Sequence, residues 1–134
     1  MAERGSASRW RSRRLLLIVG ALIVVAAVAV TAGVREKADT RKDAQVRAGL
    51  TTIREAIYAY SKDHTNFVPP PEEVTAAGLK AWLPPGVAWP LNPFTGQPMH
   101  AGSGSGDYQY KTLGPNPSSG YTIDGYGADG RSVW

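Results

Sequence analysis

Residues Leu15 to Asp63 read LLLIVGALIVVAAVAVTAGVREKADTRKDAQVRAGLTTIREAIYAYSKD, 49 positions without a proline and with two kinds of helical surface. The first part, Leu15 to Val34, carries no charge and a single hydroxyl, Thr31. At about 1.5 Å of rise per residue these twenty positions span roughly 30 Å, the thickness of a bilayer's hydrocarbon core. A helix that is apolar on every side needs cover all round. The rest of a 134-residue chain holds too little apolar surface to supply it, so lipid is the expected surrounding.

From Arg35 the pattern changes. Val46, Leu50, Ile53, Ile57 and Tyr60 recur at spacings of 4, 3, 4 and 3, which lines them along one helical face. Arg41, Lys42, Arg47, Arg54 and Lys62 fall off that stripe and are expected on a solvated opposite face. With no breaker between them, the two halves are expected to run as one helix about 70 Å long. Gly49 costs on the order of 1 kcal/mol relative to alanine and marks a place for a bend, without ending the helix.

Orientation follows from charge. Residues 1 to 14 hold five arginines against one glutamate, which is the whole net charge of +4; residues 15 to 134 balance, ten cations against ten acids. Trp10 and the cations Arg11, Arg13 and Arg14 stand just before the apolar run, whereas Arg35 to Asp43 is nearly neutral. The asymmetry places a basic tail, 1–14, in the cytoplasm, a membrane helix at 15–34, and a domain at 35–134 outside. Two alternatives for the same run involve its removal: a secretory signal ending near Val30-Thr31-Ala32, or a twin-arginine signal read from Ser12-Arg13-Arg14. The apolar run is longer than a usual signal core. A neutral body without a basic stripe has little attraction for phosphate backbones, which argues against nucleic acid as a partner. The chain has no cysteine, so no disulfide framework or thiolate metal site is available.

Beyond the helix, Phe67-Val68-Pro69-Pro70-Pro71 forces an extended path, because each proline fixes its own φ and disfavours helix before it. Glu72 to Leu83 is expected as a short helix, stopped by Pro84-Pro85-Gly86. Trp89-Pro90-Leu91-Asn92-Pro93-Phe94-Thr95-Gly96-Gln97-Pro98 holds too many prolines for a helix or central strand and reads as an ordered loop. Asp107 to Leu113 and Gly120 to Tyr126 alternate apolar residues with β-forming content, and Arg131 to Trp134 follows a turn at Asp129-Gly130. The fold class expected is therefore α+β. A long N-terminal helix, 35–63 in its exported half, should cover one face of a small antiparallel sheet of three to four strands within 107–134, after a proline-rich segment at 67–99.

Catalytic patterns are missing. His64 and His100 have no ligand-spaced partner, and no serine sits in a G-x-S-x-G elbow. The glycines of Ala101-Gly102-Ser103-Gly104-Ser105-Gly106 precede a tyrosine-rich strand rather than a Lys-Ser helix start, so this stretch reads as a mobile approach to a hairpin. The chain is expected not to be an enzyme, and no small-molecule substrate is expected. A second possibility is a membrane-tethered binding module for a protein or glycan, using the Trp89 to Met99 loop and Tyr108, Tyr110, Tyr121 and Tyr126. That reading requires those rings to be exposed.

Ala56-Ile57-Tyr58-Ala59-Tyr60 with Asp63, then Phe67 to Pro69, Trp89 to Gly96, Gly106 to Tyr110 and Gly125-Tyr126-Gly127-Ala128-Asp129-Gly130 together resemble the type IV pilin-like superfamily. The details look most like the major G-type pseudopilin of type II secretion systems. The resemblance implies a structural or accessory subunit of a secretion or pilus-type apparatus in the bacterial cytoplasmic membrane. Its partners would be other pilin-like subunits, assembly-platform proteins and the bilayer. It also implies calcium near Asp124 and Asp129, the acids that match the family's calcium loop; no other cofactor is expected. The chain departs from the family leader: Gly20 is followed by Ala21-Leu22-Ile23-Val24-Val25, without the glutamate that family members carry at the fifth mature position. An uncut anchor is the form this departure implies.

Overall fold

The structure is a computed structural model that describes residues 6–134, with side chains from Ala27 onward. Helix α1 is Ser6–Asp63, and the chain divides into two compact units, Met1–Ala38 and Asp39–Trp134. The expected membrane run Leu15 to Val34 falls mostly on positions whose side chains lie outside those described, as does the basic tail 1–14. Among the described residues no helix is long and apolar enough to cross a membrane. In the first unit Val28, Val30 and Val34 are each more than 60 % exposed. Thr31 donates its hydroxyl to the Ala27 and Val28 carbonyls (3.1 and 2.9 Å), so its one polar group is satisfied within the helix.

In the second unit the stripe Val46, Leu50, Ile53 and Ile57 is fully buried and Tyr60 nearly so. These residues, with Ala56, form one cluster with Val74, Leu79, Trp89, Met99, Tyr108, Tyr110 and Ile123. The sheet has two antiparallel strands, β1 (Tyr108–Thr112) and β2 (Tyr121–Gly125), with Tyr108 opposite Gly125 and Thr112 opposite Tyr121. Gly125 lets the helix approach this sheet: a Cβ there would stand 2.6 Å from Leu50 Cδ1 and 2.8 Å from Val46 Cγ1. Gly49 does the same on the helix side, where a Cβ would meet Met99 Sδ at 2.6 Å. Close packing against the 90–99 loop, rather than a bend, accounts for that glycine.

Two expectations are corrected. The sheet has two strands, not three or four. The turn Gly127 to Gly130, closed by Gly130 N–H on the Gly127 carbonyl, leaves the segment after it only one bridge, Ser132 to Tyr126, which is too short for a strand. The Pro-rich loop likewise contributes a single bridge, Leu91 to Pro98. Nor does Glu72 to Leu83 form a continuous helix: it contains two 3-10 turns, Pro71–Glu73 and Lys80–Trp82. Between them Thr75 N–H folds back onto the Glu73 carbonyl, and the Thr75 hydroxyl takes the Gly78 N–H, so local bonds replace the helical ladder.

Helix α1 ends in a Schellman motif, with Asn66 N–H on the Ser61 carbonyl at 2.7 Å. Thr65 occupies the left-handed position at φ 60°, where a β-branched residue is strained and glycine is not. Thr65→Gly is expected to stabilise the Asp39–Trp134 unit by about 0.5–1 kcal/mol, the relieved strain exceeding glycine's extra unfolded-state entropy. Thermal unfolding followed by circular dichroism checks this: the midpoint should rise by a few degrees, and a fall would reject it.

Candidate functional site

Two places in the Asp39–Trp134 unit gather polar chemistry, and both surround the hairpin. The first is built on Asn92, which the Pro-rich loop buries almost completely. Its carbonyl oxygen accepts the Phe94 N–H at 2.8 Å, an Asx-turn that Pro93 preorganises. Its amide donates to the Ser105 carbonyl at 2.9 Å and to Asp107 Oδ1 at 3.3 Å. Asp107 in turn accepts the Gly104 N–H at 2.9 Å and faces His100 Nδ1 at 2.9 Å. The glycine run is thus not a mobile approach. Gly102 and Gly104 wrap the Asp107 carboxylate, and Gly106, at φ +82°, leaves no room for a Cβ beside Asn92. This bracket is structural in its connections: Ser105 donates its hydroxyl to the Ala128 carbonyl at 3.2 Å and not to a histidine.

Asn92→Ala is expected to cost about 2–3 kcal/mol, because it strands the Phe94 N–H, the Ser105 carbonyl and one Asp107 lone pair in a closed site. Urea unfolding should show a lower midpoint at an unchanged slope. An unchanged midpoint would show that water replaces all three bonds.

The second place is an aromatic corner where α1 ends. Tyr60 and His64 stack with centroids 3.8 Å apart, and Trp82 meets both edge-on. Trp82 Nε1 donates to Asp63 at 3.1 Å. His64 Nδ1 lies 2.8 Å from the Tyr60 carbonyl, which only accepts, so this nitrogen carries the proton. The Tyr60 hydroxyl is raised above its usual range by burial and then by a hydrogen bond to Glu73. A groove of about 360 Å³ opens here between Phe67, Pro70, Pro71 and Pro115. On the other side of the hairpin loop a second groove, about 510 Å³, is lined by Arg54, Leu113, Tyr121, Ile123 and Trp134.

The rings that the alternative of a binding module would need exposed are for the most part inside the fold. Trp89, Met99, Tyr108 and Tyr110 are buried. Their polar tips are also spent inside: Trp89 Nε1 donates to the Met99 carbonyl at 2.8 Å, Tyr108 Oη to Val74 at 2.6 Å and Tyr110 Oη to Pro69 at 2.7 Å. Tyr121 and Tyr126 are half-buried, and of the Pro-rich loop Leu91 is the large apolar side chain left exposed. Tyrosine burial pushes the Tyr108 hydroxyl up to about 12 and raises that of Tyr110, the latter helped by Tyr121 and Tyr60 nearby.

Asp124 is exposed on β2 opposite Gln109, and Asp129 lies in the following turn. Asp129 holds Arg131 twice, accepting its N–H at 3.1 Å and pairing with its Nε at 2.6 Å. Among the described residues no group of three His, Asp or Glu side chains is placed to hold a metal ion. The acid that organises this turn was missed in the sequence: Asp43, on α1, accepts the Ala128 N–H at 2.9 Å. The cations of α1 are likewise not merely solvated. Arg47 Nε donates to the Val133 carbonyl at 2.7 Å, Lys42 stands 5.0 Å over Phe94 and Arg54 stands 5.0 Å over Trp134. Comparison with protein-family models, with curated proteins and with solved structures returned no match.

Proposed function

We propose that the chain is a membrane-anchored structural or accessory subunit of a type II secretion or type IV pilus-type apparatus. It would be held in the bacterial cytoplasmic membrane by Leu15 to Val34, with the basic tail in the cytoplasm and the 35–134 domain outside. The observation that carries this reading is one helix with two opposite solutions for its apolar surface. Val28, Val30 and Val34 are left uncovered, while Val46, Leu50, Ile53 and Ile57 are completely buried. Uncovered valines in a helix whose hydroxyl is self-satisfied suit lipid or the helices of neighbouring subunits. The buried stripe suits a head that folds by itself. The head's polar bracket is closed on its own backbone, which supports a scaffold rather than a reaction centre. Calcium at Asp124 and Asp129 would have to displace Arg131, and the proposal does not depend on it.

The test uses the absence of cysteine in the native sequence. Single cysteines at Val28 and Val34, oxidised in native membranes alongside the partner subunits, are expected to form disulfide-linked multimers. Monomers alone at every position between 27 and 38 would reject the assembly role.

A further inference from the structure

The groove at the aromatic corner, about 360 Å³, lies in the size range of ligand-binding clefts. Pro70, Pro71, Pro115 and Pro117 line it, and a proline has no N–H to offer a ligand. Phe67 stands among them with 47 % of its surface exposed. His64 also lines the groove, and it does so as an acceptor. Its Nδ1 gives its proton to the Tyr60 carbonyl at 2.8 Å, so Nε2 of the neutral ring carries a lone pair. That lone pair has no partner among the described residues. Since none of their buried side-chain nitrogens or oxygens is left without a bond, Nε2 is open to an incoming donor. Two exposed carboxylates stand at the same corner: Glu73 meets the hydroxyl of Tyr60, a lining residue, and Asp63, next to His64 in the chain, accepts from Trp82 Nε1. Neither has a lysine or arginine at ion-pair distance among the described residues. Lys62 stands 5.3 Å over Tyr58 instead, and Lys80 lines a different groove.

We propose that this groove is a docking site for an arginine side chain of a partner protein, whose guanidinium lies against Phe67 and donates to His64 Nε2 and the Glu73 carboxylate. Charge decides the sign of the occupant. A corner that offers a lone pair and two carboxylates, and no cation of its own, complements a donor-bearing cation and repels an acidic segment. Shape decides between the cations. A guanidinium is planar and weakly hydrated, so it can stack on an exposed ring while its fork hands separate N–H groups to two acceptors; an ammonium is a strongly hydrated point charge. The proline rings cover the methylene stem behind it. A second copy of this chain is the poorer occupant, because three of the four arginines between Asp39 and Trp134 are engaged: Arg47 with the Val133 carbonyl, Arg54 over Trp134 and Arg131 with Asp129. The inference concerns the Asp39–Trp134 unit and stands apart from membrane anchoring.

The test is an NMR titration of the full chain in non-ionic detergent micelles, read at the ring signals of His64 and Phe67. The probe is the blocked peptide acetyl-Ala-Arg-Ala-amide, and its control carries citrulline, which keeps the shape and loses the charge. The arginine probe should shift both rings saturably, and the citrulline peptide should bind at least about tenfold more weakly. Glu73→Gln should weaken the arginine probe by about fivefold and Phe67→Ala by about threefold. Both side chains are exposed, so the remaining amide spectrum of each variant should stay that of the native head. Asp124→Asn, on the far strand, should bind like the native chain. The proposal is overturned if the arginine probe causes no saturable shift at either ring, if citrulline binds as well as arginine, or if the Glu73 and Phe67 variants both bind like the native chain. Ring shifts that grow with protein concentration in the absence of probe would assign the groove to a second copy and overturn it as well.

Discussion

Leu50→Ala is expected to destabilise the Asp39–Trp134 unit by about 3–5 kcal/mol, the range for a leucine truncated in a core that cannot collapse onto the gap. Collapse is blocked here from both sides. Leu50 lies on β2 at Gly125, which has no side chain to swing into the space, and its helix neighbour Gly49 is already seated against Met99 and Pro90. A loss of that size is a large share of a small domain's total stability. Urea unfolding of the full chain in micelles, followed by far-ultraviolet circular dichroism of the head, checks it. Leu50→Met, which keeps volume, should lose less than about 1.5 kcal/mol. Equal losses for the two variants would mean that Leu50 does not fill the helix–sheet interface.

The head should also unfold in alkali, and more steeply than surface tyrosines would allow. Burial pushes the Tyr108 hydroxyl up to about 12 and raises Tyr110, and each donates its proton to a buried carbonyl, Val74 or Pro69. A folded-state value above the unfolded one means that the stability from these groups is fully present below pH of about 10 and is lost above it. In that window the unfolded chain has already released protons that the folded chain keeps. Each tyrosine should remove about 1.4 kcal/mol per pH unit, and Tyr108 alone about 2–3 kcal/mol between pH of about 10 and 12. Stability measured against pH should therefore be flat through neutrality and fall steeply above 10. Tyr108→Phe should be less stable at pH 7 by about 1 kcal/mol, for its lost hydrogen bond, yet fall less steeply in alkali. A native profile that stays level up to pH of about 12 would contradict the buried placement of both rings.

The helical face was legible in the sequence because a single period of 3.6 residues, uninterrupted by proline, allows only one way to line up Val46, Leu50, Ile53, Ile57 and Tyr60. The strands were legible for a related reason: two short alternating runs flank a Gly-Pro-Asn-Pro connector, and period 2 fits no helix. What escaped was every feature made by residues distant in sequence. Asn92 looked like one more loop polar group. Nothing near it announces that it bridges the Ser105 carbonyl and Asp107, although glycines at every second position from 102 to 106 were a usable sign of a carboxylate being wrapped. Arg47 read as a solvated helix charge and Asp43 was given no role, and their partners, Val133 and Ala128, are at the other end of the chain. Strand number failed because Arg47 Nε takes the Val133 carbonyl that a third strand would have paired, a contact between residues far apart in the chain that composition does not encode. Glu72 to Leu83 failed because Thr75 offers its hydroxyl to a backbone N–H, a local competition that propensity averages away.

Spin-label accessibility along α1 tests the central claim most directly. With single labelled cysteines from Ala27 to Val46 of the full chain in liposomes, oxygen should reach the labels at Val28, Val30 and Val34 in preference to a water-soluble nickel reagent. Past Arg35 that preference should reverse, and in the head a 3.6-residue alternation should set in, with Val46 shielded from both. Labels at Val28, Val30 and Val34 that meet the nickel reagent as freely as those at Arg35 and Lys37, or a loss of helical periodicity before Val46, would contradict a membrane helix that continues into the scaffold of the head.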